Sequence, residues 1–198
     1  MMAPRIAGLC ALVTAPVQWH PVQVFEEEAA MLKIEFTKGS DRDWIVATRD
    51  DGSVEKLSFP KKGLTVHDAV HFFVERDLSL HDAFWGKVEK GSNPEEIQVL
   101  AKAGGHASAT RAEQPDDSII ELLQAERLVE CFEADAWGQP ADAESFLEIA
   151  KAACESALVP MPEMDAAKVE QIRENIAAFH ADWIKAPAGY TSCLHWRR

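Results

Sequence analysis

Alternating apolar and polar residues predict β-strands in the first part of the folded chain. Apolar side chains occupy every second position at Leu32, Ile34 and Phe36, which is the period of a half-buried strand. Two further apolar runs cover residues 44–48 and 54–59, and an Asp-Gly pair between them is a strong hairpin signal. The pattern therefore predicts an antiparallel meander of three strands.

Beyond Gly63 the apolar period becomes helical and remains so almost to the C-terminus. The periods and their boundary residues predict six helices, at about residues 66–77, 80–90, 93–104, 117–137, 141–158 and 165–185. The last of these spaces its apolar residues alternately three and four apart, which is typical of a helix that buries one face. The glycines and proline within residues 104–116 predict an exposed loop.

A run of strands followed by a run of helices is typical of the α+β class, in which helices cover one face of an antiparallel sheet. We expect an N-terminal three-stranded meander followed by about six helices, in a single domain over residues 31–187, with residues 188–198 as a tail. Residues 1–30 show neither period. We expect them to be a poorly structured extension or the product of a misassigned start codon, because their outline matches a secretory signal poorly.

Composition narrows the classes of partner. The 198 residues are 47% hydrophobic and carry a formal net charge of −13, which is the profile of an ordinary folded protein with an acidic surface. Nucleic acids and anionic membranes are disfavoured as partners, because the sequence lacks a cluster of Lys and Arg. The four cysteines lie far apart, which is unlike a disulfide framework and favours a cytoplasmic location.

The most suggestive chemical feature is a pair of histidines at the start of the first predicted helix. His67 and His71 are four residues apart, so a helix presents both imidazoles on one face, where a single divalent ion such as zinc can bridge them. Glu75 continues that face by one turn. Asp68 lies beside the first histidine, as the catalytic acid does in the H-E-x-x-H pattern of metalloproteases. The pattern makes Asp68 a candidate catalytic base and His67, His71 and Glu75 candidate metal ligands.

Helix capping offers a simpler explanation for part of this pattern. The segment around His67-Asp68 recurs fourteen residues later around His81-Asp82. In each copy Thr65 or Ser79 precedes the acid by three positions, which is the spacing of a capping box. The second copy has no counterpart of His71, so capping explains the shared aspartates and leaves His71 unexplained.

A metal site requires a third protein ligand, and the sequence leaves four candidates open. Glu75 and His81 lie near the histidine pair along the chain, whereas Glu126 and Glu130 lie on the fourth predicted helix. Carboxylate and imidazole groups are both common ligands of divalent ions. Their spacing along the chain does not choose among them.

Residues 59–91 resemble a segment of uncharacterised bacterial proteins. The resemblance rests on Phe59-Pro60, on the pattern H-D-x-x-H-x-x-V-E from His67 to Glu75, and on Phe84-Trp85-Gly86. Those proteins combine a short strand meander, an H-D-x-x-H-x-x-V-E helix and a Phe-Trp-Gly or Phe-Tyr-Gly element. The resemblance implies a bacterial cytoplasmic protein and carries no reaction, substrate or cofactor.

Two hypotheses of function follow. The first is a small, soluble, non-catalytic domain that binds or assembles with an unknown protein or small molecule through its helical surface. The second is a divalent-metal protein, such as a metal-dependent hydrolase, that uses His67 and His71 as ligands. A bound metal ion or a metal-dependent turnover separates the second hypothesis from the first.

Overall fold

A computed structural model describes residues 32–60, 66–111 and 115–197 of the chain. Within these ranges the chain forms four strands, which are β1 (Leu32–Thr37), β2 (Arg42–Arg49), β3 (Val54–Pro60) and β4 (Thr191–Trp196). Its six α-helices are α1 (His67–Asp77), α2 (Phe84–Glu89), α3 (Pro94–Arg111), α4 (Ile120–Trp137), α5 (Ala143–Ser156) and α6 (Ala166–Lys185). The α+β class, the N-terminal meander and the six helices predicted from the sequence are confirmed.

The four strands form one antiparallel sheet in the order β3-β2-β1-β4. Alternate side chains of β1 point to opposite faces, and Leu32, Ile34 and Phe36 are completely buried on the inner face. Phe36 lies opposite Ile45 of β2 and Ser192 of β4. The centre of the inner face therefore presents an apolar surface to the helices.

The first and last long helices pack on this inner face through aromatic side chains. The ring of Phe36 contacts Trp85 and Phe179 edge-on, with ring centroids 6.2 and 5.7 Å apart. Phe72 of α1 contacts Trp196 of β4 in the same way at 6.2 Å. Such edge-to-face pairs are favourable beyond the burial of their area, so α1 is fixed between the sheet and the remaining helices.

The prediction that residues 188–198 form a tail is wrong for Thr191–Trp196. These residues form β4, which pairs with β1 along its full length, and the Trp196 side chain is completely buried. The strand has two inward-facing apolar side chains, Leu194 and Trp196, so its alternation is too short to recognise. Its hydrogen-bonding partner also lies at the other end of the sequence, where no local pattern can indicate it.

The predicted end of the third helix at Gly104 and Gly105 is also wrong, because α3 continues to Arg111. A β-carbon at Gly104 would lie 2.9 Å from Cδ1 of Ile119 and 3.3 Å from Cδ2 of Leu123. Gly104 therefore lets α3 approach the start of α4 closely, which is a packing role rather than a helix-ending role. Asn93 caps the start of this helix, since its side-chain oxygen accepts a hydrogen bond from the Glu95 amide at 2.8 Å.

The predicted capping box at the second repeat is wrong. Helix α2 begins after Ala83, and Ser79 adopts a left-handed backbone conformation with φ of 57°. The Asp82 carboxylate accepts a hydrogen bond from Lys90 Nζ. Thr65 lies outside the described residues, and α1 begins after Val66 without a side-chain cap. The two copies of the repeat therefore differ in structure.

Residues 1–30, predicted to be an extension or the product of a misassigned start codon, lie outside the described residues. In the described ranges, no helix combines the length and the apolar character needed to cross a bilayer.

Candidate metal centre

Helices α1 and α4 bring three possible metal ligands together. His67 and His71 lie one turn apart on α1, and Glu126 projects from the facing side of α4. One ligand atom from each of the three residues lies within 4.8 Å of the other two. His71 Nε2 and Glu126 Oε1 are 3.8 Å apart. The arrangement resembles metal sites of helical bundles, in which ligands on facing helices converge on one point.

His71 is held in place by a buried carboxylate. Its ring is only 3% exposed, and its Nδ1 lies 3.0 Å from Glu75 Oε1. The second oxygen of Glu75 accepts a hydrogen bond from the Trp85 amide at 2.8 Å. Glu75 thus fixes the orientation of the His71 ring and leaves Nε2 directed towards Glu126. Metal-binding histidines characteristically have such a partner on the second ring nitrogen.

His67 has a similar partner on the other helix. Its Nδ1 lies 3.2 Å from Glu133 Oε1 of α4, and its side chain is half exposed. The two imidazole rings meet edge-on with centroids 4.8 Å apart. Both histidines therefore use Nδ1 for a carboxylate, and both have Nε2 left for an ion.

Burial and neighbouring charges shift the pKa values of these groups in different directions. Burial lowers the pKa of His71. Burial also acts to lower the pKa of His67, but its hydrogen bond and ion pair with Glu133 outweigh this effect and raise it. Burial raises the pKa of Glu75 well above its ordinary value, against the opposing hydrogen bonds from the Trp85 and Phe84 amides. The low pKa of His71 favours the neutral imidazole, which is the form that binds metals.

The three candidate ligands line a cavity of about 610 Å³. Its wall is formed by side chains from α1, α2, α3 and α4, namely His67, Asp68, His71, Phe84, Gln98, Ala101, Lys102, Glu126, Arg127 and Glu130. Burial raises the pKa of Asp68, in opposition to the charges of His67 and His71. The predicted catalytic base therefore lies on the same cavity as the candidate ligands.

This donor set suits a divalent transition metal. Two imidazoles and one carboxylate occur as ligands of catalytic zinc and of non-haem iron(II). An ion held by these three residues would have further coordination positions open, and the cavity that they line would give a small molecule access to them. A structural zinc site, by contrast, is closed by four protein ligands.

The structure brings together part of the predicted ligand set. His67 and His71 share the site with Glu126. This residue is one of the four candidates for the third ligand among which the sequence did not choose. Glu75 instead lies behind His71, where its carboxylate binds the ring Nδ1 and the Trp85 amide. His81 is absent from the group, and its ring contacts Trp196 edge-on at 6.2 Å.

Sequence reasoning missed the part played by Glu133. The signal that could have found it is the recurrence of acids at positions 126, 130 and 133 of α4, which a helix places on one face. That face adjoins the apolar stripe, so acids there are close to the helix packed against it. Lys102 and Arg127, which also line the cavity, had no comparable signal.

No protein-family model, curated protein or solved structure matches the chain. The resemblance of residues 59–91 to bacterial proteins therefore stays a prediction. Function must be inferred from the chemistry of the site and its cavity.

Proposed function

We propose that the protein binds one divalent transition-metal ion through His67, His71 and Glu126, with open coordination positions facing the cavity. The observation that supports this best is the convergence of the three ligand atoms within 4.8 Å of one another. Two carboxylates on the Nδ1 atoms add to it, because each fixes a ring in the orientation that an ion requires. Zinc and iron(II) are the ions that this donor set suits.

Preorganisation strengthens the proposal. His71 is buried between Glu75 and Phe84, and its ring centroid is 5.9 Å from that of Phe84. Glu126 and Glu133 both lie on α4, whose apolar face is buried in the same core as that of α1. An ion therefore meets ligands that are largely ordered, and little conformational entropy opposes binding.

Metal analysis of the purified protein tests the proposal. We expect close to one ion per chain after purification without chelators, or on reconstitution with zinc or, under anaerobic conditions, iron(II). His71→Ala and Glu126→Gln should abolish tight binding. The matched controls are His195→Ala, an exposed histidine of β4, and Glu144→Gln, an exposed acid of α5 that does not line the cavity; both should retain the ion. Wild-type protein that neither carries nor takes up an ion would contradict the proposal.

A hydrolytic activity is a second candidate, favoured by the position of Asp68. A divalent ion with open positions polarises a carbonyl or activates a water for attack. Asp68 lines the same cavity, where its carboxylate is a candidate general base for that water. In such a hydrolysis the water oxygen bonds to the carbonyl carbon. Asp68 takes a proton from the water and transfers it to the leaving group as the bond between the carbonyl carbon and the leaving group breaks.

The Asp68→Asn variant tests this activity. It should bind metal as the wild type does, because Asp68 is outside the group of three ligands, and it should lose most of any ester or amide hydrolysis. The readout is metal content together with turnover of activated esters and anilides. Equal turnover by Asp68→Asn and wild type would show that Asp68 is not the general base.

The non-catalytic hypothesis makes the opposite prediction. If the protein only binds or assembles with a partner, His71→Ala should change stability alone, and the wild type should carry no ion. The metal analysis therefore separates the two hypotheses.

A further inference from the structure

The cavity beside the candidate metal ligands also carries two cationic side chains. Lys102 comes from α3 and Arg127 from α4, and both line the cavity with His67, His71 and Glu126. Of the ten residues in its wall that the structure describes, only Phe84 and Ala101 are apolar. A wall of this composition suits a polar, charged ligand, whereas ordinary small-molecule pockets are mainly apolar.

Arg127 lines the cavity with a side chain that is 30% exposed. Its Nη1 lies 3.0 Å from Glu130 Oε2. Its Nε is buried and has no hydrogen-bond partner among the described residues. Because Nε is closed to solvent, a ligand in the cavity reaches the other donors of the partly exposed guanidinium group. Arginine is also the side chain best suited to carboxylate and phosphate groups, because its donors form a planar fork.

The balance of charge in the metal-loaded cavity favours an anion. The double positive charge of the ion exceeds the single negative charge of Glu126, and the charge of Arg127 cancels that of its partner Glu130. Lys102, which is exposed at the cavity, adds a further positive charge. The wall keeps a net positive charge even when Asp68 is ionised, although the protein as a whole is acidic. An anionic ligand is therefore attracted to this cavity in spite of the overall charge.

We propose that the cavity binds a small molecule through a carboxylate or phosphate group, with one oxygen on the ion and another on the guanidinium group of Arg127. Lys102 supplies a second positive charge at the same group. This inference rests on the proposed metal site and names the class of its ligand. The cavity of about 610 Å³ lies within the range of about 300–1,000 Å³ that is usual for small-molecule sites.

Calorimetric titration of metal-loaded protein tests the inference, with inorganic phosphate and succinate as two separate probes. We expect at least one of them to bind to the wild type, and its identity distinguishes a phosphate from a carboxylate ligand. Arg127→Gln should weaken that binding about ten- to hundredfold, because a charged hydrogen bond is lost. Arg127→Lys restores the charge without the planar fork of donors and should recover only part of the affinity.

Two further variants serve as controls. Lys151→Gln makes the same change of charge at an exposed position of α5 that does not line the cavity, and it should bind the probe as the wild type does. Lys102→Gln alters an exposed side chain and should fold normally. It should weaken binding about threefold, as expected for a solvent-exposed charge.

The possible failures are distinguishable because metal content is measured first in every sample. Metal-loaded wild type that binds neither probe would overturn the inference and leave the metal site standing. The same conclusion would follow if Arg127→Gln and Lys102→Gln bound the probe as tightly as the wild type. Wild-type protein without metal would overturn the proposed function, and this inference with it.

Discussion

At the scale of single residues, the site depends on which nitrogen of each histidine is occupied. The buried Glu75 holds Nδ1 of His71, and the half-exposed His67 is held by Glu133 in the same way. Neither carboxylate belongs to the group of three ligands. Both nevertheless decide whether the rings present Nε2 to an ion.

Replacement of Glu75 by glutamine isolates this orienting role. The Glu75→Gln side chain keeps the size but has one oxygen, which the Trp85 amide occupies, so its NH₂ group faces His71 Nδ1 and favours the ring proton on Nε2. We expect metal affinity to fall about ten- to hundredfold, as is usual when the partner of a metal-binding histidine is removed. Competition with a chromogenic chelator measures it. Glu144→Gln, at an exposed position of α5, is the control, and an unchanged affinity in Glu75→Gln would show that the carboxylate does not orient the ring.

His180 predicts a dependence of stability on pH that is separate from the metal site. Its Nε2 is buried without a partner among the described residues, and burial lowers its pKa below the ordinary 6.5, against the opposing charge of Glu133. Because the unfolded chain binds the proton more readily, the folded state loses stability as the pH falls through 6.5.

Urea unfolding of the metal-free protein at pH 7.5 and at pH 5.5 measures this effect. His180→Leu should lose less stability than the wild type between the two conditions, since the variant has no imidazole to protonate on unfolding. His195→Leu removes an exposed imidazole and should follow the wild type. Parallel losses in the wild type and His180→Leu would contradict the prediction.

At the scale of elements, β4 completes the sheet and contributes a large buried side chain. Trp196→Ala should lower the free energy of unfolding by about 3–5 kcal/mol, because it leaves a cavity between β4 and α1. Trp196→Phe should cost less than about 1.5 kcal/mol, since it keeps most of the apolar contact and removes an indole N–H that has no partner within the described part of the chain.

Chemical denaturation measures both variants. His195→Ala lies on the exposed face of the same strand and should change the free energy of unfolding by less than about 0.5 kcal/mol. Equal, small effects of Trp196→Ala and His195→Ala would mean that β4 contributes little to the fold.

The elements that could be predicted from the sequence are those with a long local period. The strands of the meander show alternating apolar residues, and helices α4 to α6 each have an apolar stripe. Helix caps are local signals as well: the Asp142 carboxylate at the start of α5 accepts a hydrogen bond from the Ser145 amide at 2.9 Å. Strand β4 and the second half of α3 could not be predicted. Both depend on contacts between distant parts of the chain. Strand β4 needs a partner from the other end of the sequence, and Gly104 lies within α3 because α3 packs closely against α4 there.

The same distinction applies to the candidate site. His67 and His71 could be predicted because both lie on one helix, where a spacing of four residues fixes their proximity. Glu126 could only be named among alternatives, since its proximity depends on how α4 packs against α1. Glu75 was placed on the correct face, but its orienting role depends on the Trp85 amide of the next helix.

At the scale of the whole molecule, a metal ion would link α1 to α4. A ligand that binds only the folded state stabilises it by mass action, and about 2.7 kcal/mol is expected at a free ion concentration of 100 times the dissociation constant. Unfolding curves of the wild type with increasing ion concentration should show this gain, and those of His71→Ala should not. The same gain in both would indicate ions bound elsewhere on the acidic surface.

The pairing of β1 with β4 has a consequence for the order in which the protein is made. Thr37 and Thr191, whose hydroxyls meet at 2.9 Å, are separated by 154 positions. At about 5–20 residues per second a ribosome needs roughly 8–30 seconds to cover that distance. Throughout this time one edge of β1 presents unpaired amides and carbonyls to other nascent chains. The yield of folded protein should therefore fall when translation of the helical segment is slowed.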